Sequence, residues 1–172
     1  MPWARKSLPT KRLTPAEALA KLERYCAYQD RCHHECKQKL RTLGVWGEDA
    51  DHVMAALIEA RFLDEERFAR SFARGKHRMK RWGRVRITRE LKQRRLTPYC
   101  IRAGLSELDD LDYAGTLRAL LAKRIAKQDD ALHPYVRKQD LIAYAQRKGY
   151  ELSLAIPLAG ELVDRPGPTG VS

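Results

Sequence analysis

Apolar residues recur at helical spacing along the whole chain, and no segment shows the alternation of apolar and polar residues that is typical of a half-buried strand. In the first helical segment, for example, Leu19, Leu22 and Cys26 fall on one face. Similar spacing returns in the later segments. The sequence therefore predicts an all-α protein in which each helix buries one side.

Capping residues mark where the helices begin. Thr14 stands before a proline and three positions ahead of Glu17, which is typical of a capping box. Thr97 also precedes a proline and predicts a second helix of this kind, while Asp64 is expected to cap a long helix between them.

The long helix is predicted to bury its large apolar residues and to stop at Gly83. Its expected core residues are Phe68, Phe72, Met79 and Trp82. The helix before it is expected to bury Ile58 along with Val53 and Leu57. The last helix is weakly specified, because Pro157 is expected to interrupt it.

One helical unit is used three times. Residues 40–45 (LRTLGV) resemble residues 91–96 (LKQRRL), 51 positions later, and residues 145–150 (AQRKGY) follow 54 positions after that. Units of this length stack into an elongated, curved array, because one unit cannot bury its own apolar face. We predict a basic N-terminal tail at 1–13, three-helix repeats at 14–63, 64–111 and 112–164, and a disordered tail at 165–172.

Length and charge narrow the class of protein. The 172 residues include no apolar stretch near the ~18 residues of a membrane span, and the basic N-terminus lacks the apolar run of a secretory signal. We expect a cytoplasmic protein without disulfides. Its net charge of +12 favours a polyanionic partner, such as nucleic acid, an acidic protein surface or an anionic membrane.

The positive charge is concentrated in residues 67–102, which contain fourteen lysines and arginines and one acid, Glu90. This segment carries +13, and acidic segments at 48–66 and 107–112 flank it. Solvated helix faces are one interpretation. A large excess of one sign costs stability through repulsion, so a binding surface is favoured instead. The candidate contact residues are Lys76, Lys80, Arg81, Arg84, Arg86 and Arg89.

These cations are expected to be free of the core. Phe72 and Met79 are predicted to take the inward side of their helix. Reversing Arg81, Arg84 and Arg86 to glutamate is therefore expected to weaken partner binding while leaving the thermal melt nearly unchanged.

Cys32 and Cys36 share a helix face, and Cys26 lies one helix earlier, which raises the possibility of a zinc site. The spacing differs from that of a zinc knuckle, however, and Cys26 falls on the leucine face, so buried thiols are the favoured interpretation. We predict no metal and no cofactor. The chain also has no Gly-rich phosphate loop, G-x-S-x-G or H-E-x-x-H motif, which indicates that it is not an enzyme.

Two tryptophans, Trp46 and Trp82, each precede a glycine at an inter-helix turn. An exposed ring there could stack on a nucleic-acid base. Packing against the next helix is favoured, because the ring has a large apolar area.

Residues 62–69 (FLDEERFA), followed by a basic helix, Gly83 and residues 87–91 (ITREL), resemble the RecX family of recombination regulators. Residues 39–44 (KLRTLG) and 147–150 (RKGY) are similar to parts of the family's first and last units. The chain departs from the family pattern at two places. It has Arg31-Cys32-His33 where the family often has a serine, and Arg94-Arg95-Leu96 where the family usually has a glycine.

The resemblance implies a bacterial modulator that lodges in the groove of the RecA filament on single-stranded DNA and limits recombinase activity, with no catalytic residue. We expect a monomer without membrane contact, and direct contact with single- or double-stranded DNA stays open. The alternative is a stand-alone DNA-binding protein, which would bind bare DNA tightly with a steep salt dependence. A zinc-dependent protein is a more distant alternative.

Overall fold

A computed structural model of the chain describes residues 12–109 and 112–164. Over these residues it contains nine α-helices and no β-strand, which confirms the predicted all-α fold. None of these helices is long and apolar enough to cross a membrane. The helices are α1 (Pro15–Tyr28), α2 (His33–Thr42), α3 (Gly47–Glu59), α4 (Glu65–Lys80), α5 (Arg84–Gln93), α6 (Pro98–Ser106), α7 (Tyr113–Ile125), α8 (Pro134–Lys148) and α9 (Leu152–Asp164). The predicted tails lie outside the described residues, apart from residues 12 and 13.

The three predicted capping residues form the expected hydrogen bonds. The Thr14 side chain accepts the N–H of Glu17 at 3.3 Å, and the Glu17 carboxylate accepts the N–H of Thr14 at 2.9 Å. Asp64 and Thr97 each accept the N–H of the third helical residue, at 2.9 and 3.3 Å. These bonds satisfy donors that the first turn of a helix leaves without an intrahelical partner.

The three copies of the repeated segment form the same turn. In each copy the last residue donates its N–H to the carbonyl oxygen of the first, at 3.0 to 3.3 Å. The pairs are Val45–Leu40, Leu96–Leu91 and Tyr150–Ala145, and all six residues are buried. The residue before the last has a positive φ in every copy: 75° at Gly44, 60° at Arg95 and 89° at Gly149.

Three units of three helices follow one another, which confirms the helical repeat array: α1–α3, α4–α6 and α7–α9. The first unit has its own apolar core, which includes Leu22 and Leu40. The second and third units share one core, which includes Leu91 and Leu141 and also takes in Cys32 of the first unit. The unit borders at 63/64 and 111/112 stay a prediction.

The first joint connects the first unit to the second through polar side chains. Arg67 on α4 forms an ion pair with Asp30 at 2.9 Å, and the Ser71 hydroxyl donates to the same carboxylate at 2.8 Å. Arg94 reaches Glu35 on α2 at 3.4 Å.

The second joint connects the second and third units through the backbone. The N–H groups of Gly83 and Val85 donate to the carbonyl oxygens of Lys148 and Gly149, both at 2.9 Å. A Cβ at Gly83 would collide with the backbone of Gly149. The two chain segments approach so closely only because glycine stands at both places.

Two expectations about the helices are wrong. Ile58 is 46% exposed, and Met54 is buried beside Val53 in its place. Helix α9 also runs through Pro157 without interruption. Proline removes one helical hydrogen bond, but Ala155 and Leu158 on this helix are buried in the shared core, and such packing supplies most helical stability.

Candidate partner-binding surface

The candidate cations lie at the end of α4, in the turn that follows and along α5. Helix α4 ends at Lys80, before the predicted stop at Gly83, and Arg81 takes the left-handed conformation (φ 55°). The Arg81 N–H donates to the carbonyl oxygen of His77 at 2.9 Å. Gly83 serves instead as the N-cap of α5, with φ −84°.

The buried face of α4 differs from the prediction at its C-terminal end. Met79 is 81% exposed, whereas Ala69, Ala73 and His77 are buried at i, i+4 spacing. His77 Nδ1 lies 2.9 Å from the carbonyl oxygen of Trp82, which can only accept, so this nitrogen carries the proton. The hydrogen bond lets a polar ring replace methionine inside the core.

Three of the six candidate residues are exposed and free. These are Lys80, Arg81 and Arg89, which form no ion pair with any residue that the structure describes. Their charges face solvent, and their contact with a partner stays a prediction.

Arg84 is held inside the second joint. Its guanidinium lies 2.8 Å from Asp109 and 3.6 Å from Glu151, and its Cζ stands 4.0 Å from the centre of the Tyr113 ring. Burial acts to lower the pKa of Arg84, but the hydrogen bond to Asp109 and the neighbouring groups raise it on balance. A glutamate at position 84 would face the carboxylates of Asp109 and Glu151. The prediction that reversing Arg81, Arg84 and Arg86 leaves the thermal melt nearly unchanged therefore does not agree with the structure.

Arg86 and Lys76 enclose Trp82. The Arg86 guanidinium lies 4.0 Å from the centre of the indole ring, and the Lys76 ammonium lies 5.2 Å from it. Trp82 is half-buried against the shared core, as the packing interpretation predicted, whereas Trp46 is 54% exposed. Arg86 also donates to the carbonyl oxygen of Arg147 at 3.3 Å. Both cations therefore support the turn between α4 and α5.

The flanking acidic segments neutralise other cations of the basic segment. Arg70 pairs with Glu66 at 2.8 Å and with Glu107 at 3.0 Å, and Arg74 pairs with Glu107 at 2.8 Å. The hydrogen bond from Arg70 holds the pKa of Glu66 below its ordinary value. Part of the +13 is thus balanced within the fold.

An open groove of about 680 Å³ follows the outer face of α5. Arg89 and Lys92 line it, and Val85, which is 49% exposed, adds an apolar side chain. Lys92 is exposed and unpaired in the described chain, and it was not among the contact residues predicted from the sequence. Its i, i+3 spacing from Arg89 was the available signal. We define the α4–α5 surface as Lys80, Arg81, Arg89 and Lys92.

Residues 64–105 match the family model described as RecX, second three-helix domain. This range begins at the cap of α4 and contains the whole α4–α5 surface. Over 158 residues, the chain is 23% identical to Regulatory protein RecX of Amycolatopsis mediterranei, which covers 90% of each protein. The chain is thus similar to RecX proteins, and its second unit carries the match to a RecX domain. These relatives are named regulatory proteins.

Other RecX proteins extend the comparison. Regulatory protein RecX of Lactobacillus johnsonii is 32% identical over 89 residues, so the match spans 52% of this chain and only a third (33%) of that relative. The crystal structure of RecX from Lactobacillus salivarius has a TM-score of 0.75 at 18% identity, covering 86% of this chain and 96% of that one. Another crystal structure of regulatory protein RecX has a TM-score of 0.70 at 21% identity, covering 81% and 68%. These structures share the helical repeat fold.

The two departures from the RecX pattern have structural counterparts. Arg95 stands where the first and third units have Gly44 and Gly149, and it keeps the positive φ of those glycines. Cys32 is the N-cap of α2 but makes no capping hydrogen bond with its side chain. It is buried in the shared core instead, so here packing replaces the cap that a serine provides.

The cysteines are buried and free of disulfides, and the Cys26 and Cys36 sulfurs lie 3.6 Å apart. Burial raises the pKa of Cys32, which keeps the thiol neutral and disfavours the thiolate that zinc binds. The described residues contain no group of three or more His, Cys, Asp or Glu that could hold a metal ion. Absence of stoichiometric zinc stays a prediction, and elemental analysis of the purified protein tests it.

Proposed function

We propose that the chain binds the RecA recombinase filament on DNA through the α4–α5 surface and thereby limits recombinase activity. The observation that carries the proposal is a set of exposed cations with no ion pair in the described chain, placed around one turn and along one helix. A protein filament on DNA presents carboxylates and phosphates, and a concentrated positive surface is attracted to both. Similarity to proteins named regulatory protein RecX supports the same assignment.

The six candidate residues divide into two roles in this proposal. Lys80, Arg81 and Arg89 contact the partner, together with Lys92. The others act as positioning residues, because they lie against aromatic rings and fix the turn. The positioning residues are Lys76, Arg84 and Arg86.

Reversing Lys80, Arg81 and Arg89 to glutamate tests the contact. Exposed ionic contacts contribute ~0.2–1 kcal/mol each, and reversal replaces attraction by repulsion. We expect a loss of about 2 kcal/mol in filament binding at low salt, which is roughly thirtyfold in Kd. The loss should shrink as salt screens the charges. Fluorescence anisotropy of labelled protein titrated with preformed filaments measures it.

A matched control reverses Lys21, Arg24 and Lys127, which are also exposed and form no ion pair within the described residues. This variant changes the net charge equally but leaves the α4–α5 surface intact. We expect it to keep most of the filament affinity, and both variants to melt near the wild type. Equal affinities of the two variants would show that the filament contacts another face.

The excess of positive charge also supports the alternative of a stand-alone DNA-binding protein. The two functions differ in their preferred target. A filament regulator binds filaments more tightly than bare strand and lowers the rate of strand exchange. A stand-alone binder shows at least equal affinity for bare DNA, with a steep salt dependence, and leaves strand exchange unaffected once free DNA is saturated.

A further inference from the structure

A cleft of about 260 Å³ lies between the first and second units, and it shares no lining residue with the α4–α5 surface. Lys37 and Arg41 line this inter-unit cleft from α2, and Arg94 and Arg95 line it from the end of α5. Glu65 is the single carboxylate among the lining residues. All the lining side chains are polar, and four full positive charges face one negative charge.

Two of these charged groups are occupied by partners. Arg94 lies 3.4 Å from Glu35 in the first unit and 2.9 Å from Glu90 in the second, so it ties the two walls together. Glu65 lies 3.5 Å from His33. The other three cations, Lys37, Arg41 and Arg95, are exposed and form no ion pair in the part of the chain that the structure describes.

The backbone at Arg95 is a second and independent observation. Its φ of 60° is a left-handed conformation that is unfavourable for a residue with a Cβ, and the same repeat position is glycine in the other two units. Glycine would relieve this cost but would remove a guanidinium from the cleft. Backbone strain persists where the surrounding structure holds it in place, and it clusters at functional sites.

We propose that the inter-unit cleft is a binding site for a phosphate group. Lys37 and Arg41 are four residues apart on one helix, so they present their charges from one wall. Arg95 presents its charge from the opposite wall. A phosphate accepts hydrogen bonds from several directions at once, and arginine provides paired donors for it.

The polar lining favours phosphate over a protein partner. Protein interfaces are anchored by aromatic or aliphatic side chains in desolvated pockets, and no apolar residue lines this cleft. The phosphate can come from the backbone of a DNA strand or from a free phosphate compound such as a nucleotide. The proposal does not depend on contact with a recombinase, because the cleft and the α4–α5 surface have different residues.

Binding of a single-stranded oligothymidylate to the full chain tests the first source. The test variant changes Lys37, Arg41 and Arg95 to glutamine, and the control variant changes Lys21, Arg24 and Lys127 to glutamine. We expect a loss of roughly tenfold or more for the test variant at low salt, and about twofold or less for the control. The plot of log K against log salt should become less steep, and its negative slope should lose about 0.7 in magnitude for each phosphate contact removed.

Two single substitutions separate binding from stability. Arg95→Gly removes the cation and the strain together, so we expect a melting temperature higher by roughly 2–4 °C and weaker phosphate binding. A purely structural arginine would show no loss of binding. Glu65→Gln removes the only carboxylate of the cleft, and we expect phosphate binding to become about threefold tighter, in the range of one exposed ionic contact.

Inorganic phosphate and ATP test the second source. Backbone amide shifts of Lys37, Arg41 and Arg95 are followed by NMR while each compound is added at constant ionic strength. Shifts with ATP or phosphate, lost in the glutamine triple variant, assign the cleft to free phosphate compounds as well. Equal oligonucleotide affinity for test and control variants, together with unmoved amides, would overturn the proposal. That result leaves the filament proposal standing, since Lys80, Arg81 and Arg89 are unchanged in these variants.

Discussion

The two joints between the three units are built from different interactions. The second joint has two backbone hydrogen bonds, from Gly83 and Val85, and a continuous apolar core on both sides. No backbone hydrogen bond crosses the first joint among the described residues. It depends on the side-chain bonds of Asp30, on the Arg94–Glu35 pair and on buried Cys32.

This difference indicates where the array can bend. Exposed ion pairs are weak and screened by salt, and their side chains can re-form contacts after small shifts. A shared core loses buried area as soon as its halves separate. We therefore expect the second and third units to move as one body, and the first unit to shift relative to it. The inter-unit cleft lies at the deformable joint, whereas the turn of the α4–α5 surface lies at the stiff one.

The largest expected effect comes from breaking the second joint with Gly83→Ala. The added Cβ would overlap the backbone of Gly149 and Tyr150, which cannot rotate away as a side chain can. We expect a loss of about 3 kcal/mol in the free energy of unfolding, or roughly 6–12 °C in Tm. Differential scanning calorimetry measures it.

The matched control is Gly75→Ala in the middle of α4. A Cβ at Gly75 meets nothing within 4 Å, so alanine should stabilise the helix by ~0.5–1 kcal/mol. Similar melting temperatures for the two variants would contradict a tightly closed second joint.

A smaller effect is expected from Tyr113→Phe at the same joint. The Tyr113 hydroxyl accepts the N–H of Arg84 at 2.9 Å and donates to Glu151 at 2.7 Å. Removing the hydroxyl leaves the N–H of Arg84 and the carboxylate of Glu151 without this partner, which lowers the free energy of unfolding by about 1–3 kcal/mol. Tyr135→Phe is the control, because Tyr135 is 65% exposed, and we expect it to change stability by less than ~0.5 kcal/mol. An equal effect of both substitutions would mean that the buried hydroxyl contributes nothing to the joint.

The helix starts could be predicted from sequence because their causes are local. Thr14, Asp64 and Thr97 bond to residues three positions away, so spacing alone reveals them. The turn of the repeat could also be predicted where it has glycine, at Gly44 and Gly149. Arg95 forms the same turn without glycine, since the packed residues on either side compensate the local cost, and no sequence rule detects that.

The candidate surface could be predicted only in part. The sequence shows which residues are charged, but it does not show which of them form ion pairs in the folded chain. The basic segment itself was evident, and so were Lys80, Arg81 and Arg89. Arg84 looked equally free in the sequence, but Glu151, 67 positions later, reaches it only in the folded chain. Met79 was predicted to be buried because it is hydrophobic, but His77 is buried in its place for a similar reason. His77 continues the i, i+4 row of Ala69 and Ala73, and folding brings its ring to a backbone acceptor, the carbonyl oxygen of Trp82.

The smallest expected effect concerns the first joint. In a double-mutant cycle of Asp30→Ala and Arg67→Ala, we expect a coupling energy of ~0.2–1 kcal/mol that decreases with salt. The cycle is needed because Arg67 also donates to the carbonyl oxygens of Arg61 and Phe62, which the single substitution removes as well. Chemical denaturation at low and high salt measures the four stabilities.

A cycle within one unit provides the comparison for this weak coupling. Arg124 holds both oxygens of Asp140, at 2.7 and 2.9 Å, and this hydrogen bonding lowers the pKa of Asp140 to about 2. Both pairs are part-exposed, but this bidentate pair joins helices that also share a core, so we expect its coupling at the upper end of the range, about 1 kcal/mol. If the Asp30–Arg67 coupling instead exceeds that of Arg124–Asp140 and resists salt, the first joint is as rigid as the contact between two helices of one unit. The array would then present the inter-unit cleft and the α4–α5 surface in one fixed geometry.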